Sequence, residues 1–449
     1  MNAIMKVATT AKALPALLLI ASALTFVFAT QARAVDIQTV TSDKGITALL
    51  VEDYAVPLVS FSFSFKGGAT QDVDGKVGTA ELLSTMLDEG AGDLESQAMQ
   101  EALDDNGMEY RFSSSVDSFS GSLRTLTEVS DRSFDLMADM INRPRFDSEP
   151  IERMKVALGN RIEAAKSNPN ALVTKLWRET IFKDHPYQRP PTGTTESLAT
   201  ITGADLEDFR KRVFARDNLV VGVVGAISAD KLKSVLDKLF GDLPEKAQLK
   251  EVPELVFTAE DANRSVHLEF ATPQTNIRLA LPGLKREHPD FYATYLVNYV
   301  LGGGSFSSRL YKEVREKRGL AYGVYSYLAT FDTAGLIGGG SATQADRAST
   351  TLEVLSAEFE RIGREGPTAE ELEQAKAYIV GSYAISNLDT SSKIASVLVA
   401  IQRANLGIDY IDKRAEYINN VTLEDARRVA KKYFSTPPLF VTVGQKPQG

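Results

Sequence analysis

The stretch that decides the fold is Leu301–Leu328, LGGGSFSSRLYKEVREKRGLAYGVYSYL. It begins as a glycine-rich loop and continues as a predicted helix, Ser305–Lys317, because apolar residues recur there with helical spacing. Gly319 is well placed to cap that helix, and a tyrosine-rich strand follows at once. The pattern sets Arg315 and Tyr322 seven residues apart, on either side of the turn.

The spacing also predicts which side chains of this stretch are buried. In the helix, residues four apart share a face, which gives a buried set of Phe306, Leu310 and Val314. Arg315 lies about 180 degrees around the helix from Phe306, and we expect it to point away from that face. In the strand, alternate residues share a side, which groups Tyr322 with Val324 and Leu328, and Tyr325 with Tyr327.

Segments on either side of this stretch indicate an internal repeat in the chain. Ile201–Gly225 and Val421–Gly444 each start with Thr followed three residues later by Asp, then continue as a basic amphipathic helix and a short apolar strand. A second match, Phe146–Lys155 with Pro367–Lys376, has nearly the same offset. Two matches at one offset predict a duplicated domain.

The polar segment Gly241–Glu254, with its two prolines, marks the predicted boundary between the halves. We therefore expect domains at 35–248 and 249–449. Within each half, largely antiparallel strands are grouped beside helices, which predicts the α+β class. A second glycine run, Gly338–Gly340, carries no motif and is interpreted as a strand bend or loop.

The N-terminus has the pattern of a secretory signal peptide over residues 1–34. Lys6 and Lys12 precede the apolar run Ala16–Ala29, and Ala32-Arg33-Ala34 has the form of a cleavage site. Cleavage would direct the mature chain to the periplasm, and an uncleaved membrane anchor is the alternative. The predicted signal has three basic and no acidic residues, so its removal changes the formal net charge from −9 to −12.

Composition excludes several kinds of function. An acidic mature chain argues against nucleic acid as a partner. The chain has no cysteine, which excludes disulfides, thiol catalysis and Cys-ligated zinc. Its three histidines, His185, His267 and His288, are too far apart in sequence to share a helical turn, and each is expected to make a structural hydrogen bond.

Taken together, these segments resemble the M16 family of inverted-zincin peptidases. The resemblance rests on Leu301–Leu328, on Gly78-Thr79-Ala80, on the turn Phe182–Tyr187 and on the strands that end each half. It implies two similar α+β domains that face each other across a cleft. It also implies that the metal-binding motif H-x-x-E-H of the family falls just after Gly78-Thr79-Ala80.

The residues at that motif are wrong for zinc. Glu81 and Thr85 occupy the places of the two histidines, Ser84 that of the catalytic glutamate, and Arg161 matches the third ligand. Catalytic zinc takes three His or carboxylate ligands, so we expect no metal in this chain. A site of carboxylates alone, built on Glu81 and Asp88, is the open alternative, against which Glu81 is interpreted as lying on a solvated helix face.

The resemblance gives a role to the other half of the active site. In the family, an Arg and a Tyr spaced as Arg315 and Tyr322 reach the substrate near the scissile bond, where they donate hydrogen bonds to the oxyanion. The loop Gly302-Gly303-Gly304 is implied to help admit an extended peptide. No Gly-Lys-Ser/Thr follows this loop, which argues against nucleotide binding.

These observations predict a non-catalytic subunit of a periplasmic, heterodimeric M16-type zinc peptidase. Its partner would be an M16 subunit with an intact H-x-x-E-H and bound zinc, and peptides would be the substrates. We expect no stable membrane insertion once the signal is removed. A structural or scaffolding subunit and a peptide-binding clamp that acts alone, as a monomer or homodimer, are the alternatives.

Overall fold

The computed structural model describes residues 36–262 and 264–445, so the predicted signal peptide lies outside the described residues. From Ile37 onward the chain forms one compact unit. Among the described residues, no helix has the length and apolar character needed to cross a membrane.

Two sheets organise the fold, and they have the same strand order apart from one additional edge strand in the first. The first half contributes β1 (Gln38–Thr41), β2 (Thr47–Glu52), β3 (Leu58–Lys66), the small hairpin β4 (Gly90–Ala91) and β5 (Leu94–Glu95), β6 (Glu109–Ser114), β7 (Ser118–Leu126) and β8 (Leu219–Gly225). The second half contributes β9 (Ser265–Glu269), β10 (Gln274–Pro282), β11 (Ala321–Phe331), β12 (Ala334–Gln344) and β13 (Leu439–Gly444).

The first sheet has the order β1-β2-β8-β3-β7-β6, and the second has β9-β13-β10-β12-β11. In each sheet the last strand of the half pairs in parallel with an early strand, β8 with β2 and β13 with β9, while the other pairs are antiparallel. The shared order confirms the predicted duplication and the α+β class.

Helices pack beside each sheet. The first half contains α1 (Thr79–Ser84), α2 (Ser96–Asp105), α3 (Ser130–Asn142), α4 (Ser148–Ala165), α5 (Pro169–Ile181), α6 (Thr195–Thr200), α7 (Gly203–Val213) and α8 (Ala229–Phe240). The second half contains α9 (Ala259–Ala262), α10 (Phe291–Asn298), α11 (Ala348–Glu365), α12 (Ala369–Asn387), α13 (Ser391–Arg403), α14 (Tyr410–Asn419) and α15 (Leu423–Phe434). The repeated Thr-x-x-Asp signals form capping boxes at α7 and α15, as the sequence predicted.

Alternation along β3 shows how each sheet divides its two faces. The phenylalanines Phe61, Phe63 and Phe65 are buried in the first hydrophobic core, among the helices of the first half. The serines between them point to the opposite face, because successive side chains in a strand alternate. On that face Ser60 Oγ lies 2.9 Å from Ser391 Oγ, at the start of α13 in the second half.

The two halves therefore exchange helices. Helix α13 packs on β3 and β8 of the first sheet, and α5 packs on β10 and β13 of the second. Matching side-chain bonds fasten each helix: Gln402 Nε2 donates to Val221 O at 2.8 Å, and Trp177 Nε1 donates to Leu279 O at 3.1 Å. The predicted boundary at 248/249 separates the strands of the two sheets, but these two helices cross between them, and the domain limits stay a prediction.

A buried polar contact joins the two sheets near their turns. The hydroxyl of Tyr187 donates to Asp117 Oδ1 at 2.7 Å, and the N–H and hydroxyl of Thr333 donate to the Tyr187 oxygen at 3.2 and 2.9 Å. Asp117 precedes β7 and Thr333 precedes β12, so one tyrosine ties equivalent turns of both halves. Next to it, His185 Nε2 lies 2.7 Å from Pro253 O, and its Nδ1 accepts from Tyr187 N–H at 3.1 Å.

Candidate functional site

The predicted helix Ser305–Lys317 forms differently from expectation. Ser305–Ser307 is a single 3₁₀ turn, and Ser305 has a φ of 48°. The following helical turns over Tyr311–Glu316 are π-helical, with Lys317 N–H donating to Lys312 O at 3.0 Å. Because the 3₁₀ turn breaks the helical register, the prediction that Phe306 is buried is wrong: its side chain is 68% exposed and packs edge-on against Tyr311.

The glycine loop is held more tightly than a flexible loop would be. It ends a second π-helical segment, Tyr299–Gly303, and Gly304 N–H donates to Tyr299 O at 2.8 Å. A Cβ on Gly302 would lie 2.5 Å from Ser326 Oγ. The close packing against β11 is therefore enough to explain why this residue is glycine. Gly303 is exposed and Gly304 is buried. A role for Gly302, Gly303 and Gly304 in admitting substrate stays a prediction.

Arg315 and Tyr322 lie in direct contact. The guanidinium carbon of Arg315 is 4.1 Å from the ring centroid of Tyr322 and 4.9 Å from that of Tyr311. The cation is thus held between two aromatic rings, which attract it through their negative faces. Tyr322 itself is 82% exposed, so its hydroxyl is open to solvent. The arrangement orients the guanidinium without consuming its hydrogen-bond donors.

A bulge in β11 puts Tyr322 on this exposed side. The pairing of β11 with β12 shifts register between Ala321 and Val324, so one extra residue is inserted there. Tyr322 consequently shares its side with Tyr325 and Tyr327, whereas Val324 is buried. The sequence prediction that grouped Tyr322 with Val324 is wrong, because simple alternation fails across a bulge.

Arg315 also lacks a counter-charge. Among residues 36–262 and 264–445, no carboxylate lies within ion-pair distance of its guanidinium. The neighbouring Glu313 is bound by Lys317 and Arg318, each at 2.6 Å, and those contacts lower the pKa of Glu313. Since Glu313 is already paired with two other cations, Arg315 remains free to receive a negative charge from outside the chain.

The position of the family's metal motif is organised by α1. Asp72 caps the start of this helix: its carboxylate oxygens accept from Gly78 N–H at 2.7 Å and Ala80 N–H at 3.0 Å. Burial raises the pKa of Asp72 to about 7. Glu81 lies in the first turn of α1 and contacts Arg161 of α4 in the same half.

An ion pair occupies the metal position. Glu81 Oε1 lies 3.5 Å from Arg161 Nη1, and the Glu81 side chain is only 17% exposed. The structure therefore corrects the expectation of a solvated Glu81 and brings together two residues that sequence matching placed at ligand positions. Ser84 and Thr85 donate their hydroxyls to the carbonyls of Glu81 and Leu82, at 2.7 and 2.8 Å, and so turn back onto their own helix.

Asp88 is likewise occupied by a local contact. Its carboxylate accepts from Tyr110 OH at 2.9 Å, and burial raises the pKa of Asp88. In the part of the chain that the structure describes, no three His, Cys, Asp or Glu side chains are grouped as a metal ion requires. His267 Nδ1 lies 2.9 Å from Thr442 Oγ1, and His288 Nδ1 accepts a hydrogen bond from Asp290 N–H at 3.0 Å.

The predicted site residues thus form two separate groups. Glu81 and Arg161 lie together in the first half, and Arg315 and Tyr322 lie together in the second, with no bond or ring contact between the groups in the described chain. Sequence reasoning missed Tyr311, the second ring on Arg315, because the π-helical turn that brings it there has no sequence signature that we used. Its spacing of four from Arg315 is the signal that could have found it.

Comparison with known proteins agrees with the fold and identifies the family. The profile described as "Insulinase (Peptidase family M16)" matches residues 48–195, and "Peptidase M16 inactive domain" matches residues 200–379. A Bacillus subtilis protein named as the uncharacterized zinc protease YmxG is 27% identical, over 88% of this chain and 95% of its own length. A Helicobacter pylori protein named as the non-peptidase homolog YmxG is 24% identical, over 81% of this chain and 83% of its own.

Solved structures extend the likeness across the whole fold. A crystal structure described as a peptidase M16 inactive domain from Pseudomonas fluorescens is similar with a TM-score of 0.85 and 28% identity, and covers 92% of this chain and 100% of its own. A protease from Helicobacter pylori is similar in fold, with a TM-score of 0.81 and 20% identity, over 92% of this chain and 100% of its own.

Proposed function

Because this chain belongs to peptidase family M16, we propose that it is the non-catalytic subunit of a heterodimeric zinc peptidase and supplies Arg315 and Tyr322 to substrate held at its partner's metal. The partner is an M16 subunit with an intact H-x-x-E-H. The complex acts in the periplasm, in keeping with the signal pattern over residues 1–34. The observation that carries the proposal is the partly exposed guanidinium of Arg315, which contacts the rings of Tyr311 and Tyr322 and has no carboxylate partner in the described chain.

The chemistry of these two side chains fits such a role. Water attack on a peptide carbonyl creates an oxyanion, and the partner's zinc activates that water. Arg315 brings donors that stay charged at every relevant pH, and Tyr322 adds a neutral hydroxyl donor. Since both are held in place before substrate arrives, they stabilise the oxyanion without reorganising.

The metal position of this chain supports the division of labour. Glu81 pairs with Arg161 there, and the hydroxyls of Ser84 and Thr85 are bound to backbone carbonyls. A guanidinium repels a divalent cation, so this position does not favour zinc. The name "non-peptidase homolog" of the Helicobacter pylori relative is consistent with a chain that does not hydrolyse peptides alone.

The test is reconstitution with an M16 subunit of similar length that carries H-x-x-E-H. The purified chain should be inactive alone, and the pair should hydrolyse a fluorogenic peptide. Arg315→Ala or Tyr322→Phe should lower kcat by roughly a hundredfold, the effect of losing one oxyanion donor, with the zinc content of the complex unchanged. Lys312→Ala, which removes an exposed cation from the same helical segment, should keep activity within about twofold.

Two results would refute the proposal. The first is zinc-dependent hydrolysis by this chain without a partner. The second is full activity of both Arg315→Ala and Tyr322→Phe in a complex whose Lys312→Ala control is also active. Formation of a stable complex without any hydrolysis would instead favour the scaffolding role.

A further inference from the structure

The side of the second sheet that bears α5 also carries a row of tyrosines and an arginine beyond the pair already described. Register places Arg278 of β10 opposite Gly340 of β12, and Gly340 opposite Tyr325 of β11. The next row along the same side ends in Tyr327. We call Arg278, Tyr322, Tyr325 and Tyr327 the tyrosine–arginine face.

Glycines in β12 shape this face. The glycine run that the sequence suggested to be a bend or loop is in fact the middle of β12, so that interpretation is wrong. A Cβ on Gly338 would lie 2.6 Å from Tyr327 Cζ, and one on Gly340 would lie 2.7 Å from Arg278 Nη1. The missing side chains let the tyrosine rings and the guanidinium lie across the strand, where bulkier residues would lift them.

The side chains of the face hold one another in place. The rings of Tyr325 and Tyr327 stack with centroids 6.1 Å apart and planes at 24°. Arg278 donates one hydrogen bond to the Tyr325 hydroxyl and another, of 3.0 Å, to Asn170 Oδ1 at the start of α5. Tyr325 and Tyr327 nevertheless remain 42% and 39% exposed, so the face is ordered before anything binds to it.

Charge on this face is uncompensated. Within the described chain, no carboxylate lies at ion-pair distance from Arg278, and its bonds to Tyr325 and Asn170 use only two of the five donors of a guanidinium. Arg315, whose guanidinium contacts Tyr322 of the same face, likewise has no carboxylate at ion-pair distance in the described chain. Two unpaired guanidinium groups on one surface favour a ligand that carries negative charge.

The duplicated first half shows that the fold does not require these residues. On the equivalent side of its sheet, Ser62, Ser122 and Arg111 form one cross-strand row. The next row consists of Ser64, Ser120 and Ser113. The same topology is thus built with serines and Arg111 in one half and with tyrosines, glycines and Arg278 in the other. Since the fold is met by either set, the tyrosines and Arg278 need another explanation.

We propose that the tyrosine–arginine face is a specificity subsite for an acidic side chain of the peptide substrate, with Arg278 as the residue that binds its carboxylate. This inference rests on the proposed function, because it takes Arg315 and Tyr322 to mark the scissile bond. Tyr322 and Tyr325 are about 7 Å apart along the strand, because the bulge leaves two regular steps of roughly 3.3 Å between them. An extended peptide therefore brings the side chain about two positions from the scissile bond to Arg278.

The ligand follows from the donors. A guanidinium matches the two oxygens of a carboxylate, while the exposed tyrosine rings accept the aliphatic part of a Glu side chain. A basic side chain at that position meets Arg278 and is repelled. The complex should accordingly prefer Glu over Gln, and Gln over Lys, at one position of the substrate.

The direct test measures binding to the isolated chain and needs no partner. Fluorescein-labelled dodecapeptides that differ only by Glu, Gln or Lys at successive positions are titrated by fluorescence anisotropy. At one position the Glu peptide should bind about five- to tenfold more tightly than the Gln peptide. Arg278→Gln should reduce that ratio to below about twofold.

Two further variants act as controls. Lys431→Gln removes the same charge from α15, among the helices on the other side of the second sheet, and should keep the full preference. Arg278→Lys retains the charge without the planar guanidinium, so this variant should keep only part of the preference for the Glu peptide. An equal preference for Glu in wild type and Arg278→Gln, or no position at which Glu is preferred, would overturn the inference.

Kinetics of the reconstituted complex separate this inference from the proposed function. Arg315→Ala should lower kcat for Glu and Gln peptides alike, whereas Arg278→Gln should lower kcat/KM much more for the Glu peptide than for the Gln peptide. Should Arg315→Ala have no effect while Arg278→Gln abolishes the Glu preference, the catalytic role of Arg315 falls and the acidic subsite stands. The opposite pattern removes the subsite and leaves the proposed function intact.

Discussion

The exchange of helices between the halves can be tested at Gly222. This glycine lies in β8, the strand on which α13 of the second half packs. A Cβ built at Gly222 would lie 2.4 Å from Ala395 O and 2.7 Å from Leu398 Cβ. Neither of these atoms can rotate away, because one belongs to the backbone of α13 and the other is fixed to it. Gly222→Ala must therefore push the helix off the sheet.

The size of the effect follows from those distances. Relief of both contacts requires a shift of the helix of roughly 1 Å, since close-packed carbon atoms approach to about 3.5 Å. Gln402 and Ser391 resist this shift through their bonds to Val221 O and Ser60, at 2.8 and 2.9 Å. Overpacking of this kind lowers the free energy of unfolding by about 1–3 kcal/mol, and we expect the upper end here.

Gly159 provides a matched control with the opposite sign. It lies within α4, and a Cβ there meets nothing within 4 Å. Gly159→Ala should raise the free energy of unfolding by up to about 1 kcal/mol, because alanine favours the helix. The same substitution should thus destabilise at one glycine and stabilise at the other.

Urea unfolding and calorimetry of the mature chain would measure both variants. Because each half holds a helix of the other, wild type and Gly222→Ala should each unfold in one cooperative transition, with the midpoint of the variant lowered. A neutral Gly222→Ala would refute the close packing of α13 on β8. Two separate transitions in the wild type would refute the interlocking of the halves.

Two further predictions concern buried polar groups. The pKa of Asp72 is raised to about 7 by burial, from an ordinary 3.8, so its contribution to stability is complete below about pH 4 and is lost as the pH rises towards 7. Asp72→Asn has no carboxyl group to titrate. In urea unfolding, the free energy of unfolding of the wild type relative to this variant should fall by roughly 1–2 kcal/mol between pH 5 and pH 7. Parallel pH profiles of the two proteins would contradict the raised pKa of Asp72. Tyr187→Phe removes the hydroxyl that links Asp117 to Thr333 and should lower the free energy of unfolding by about 2 kcal/mol in urea at pH 7, whereas a neutral variant would show that the link is not stabilising.

Local patterns in the sequence predicted the repeated elements well. The Thr-x-x-Asp signals became the caps of α7 and α15, and the apolar runs after them became β8 and β13. Such features depend on neighbours in sequence, so spacing and residue type are enough to find them. The two equivalent sheets then follow from the repeat.

Features that depend on distant partners were missed. Nothing local in Ser391–Arg403 indicates that this helix belongs on the sheet of the other half, since amphipathic spacing gives a buried face but not what covers it. The bulge after Ala321 and the 3₁₀ turn at Ser305–Ser307 each insert an irregularity that a fixed period cannot follow. These two irregularities explain why the predictions of the side on which Tyr322 lies and of the burial of Phe306 are wrong.

The metal position illustrates how a lost site can remain ordered. Without a partner, the Glu81 carboxylate, whose side chain is only 17% exposed, would be a poorly solvated charge, which is costly unless the charge is paired. Arg161 supplies the pairing cation from the position that sequence matching gave to the third ligand, at 3.5 Å from the Glu81 carboxylate. The positive charge of the guanidinium thus offsets the negative charge of the Glu81 carboxylate, as a metal ion offsets the charge of its ligands. This pairing gives Glu81 a counter-charge within the chain, whereas Arg315 in the second half has none among the described residues.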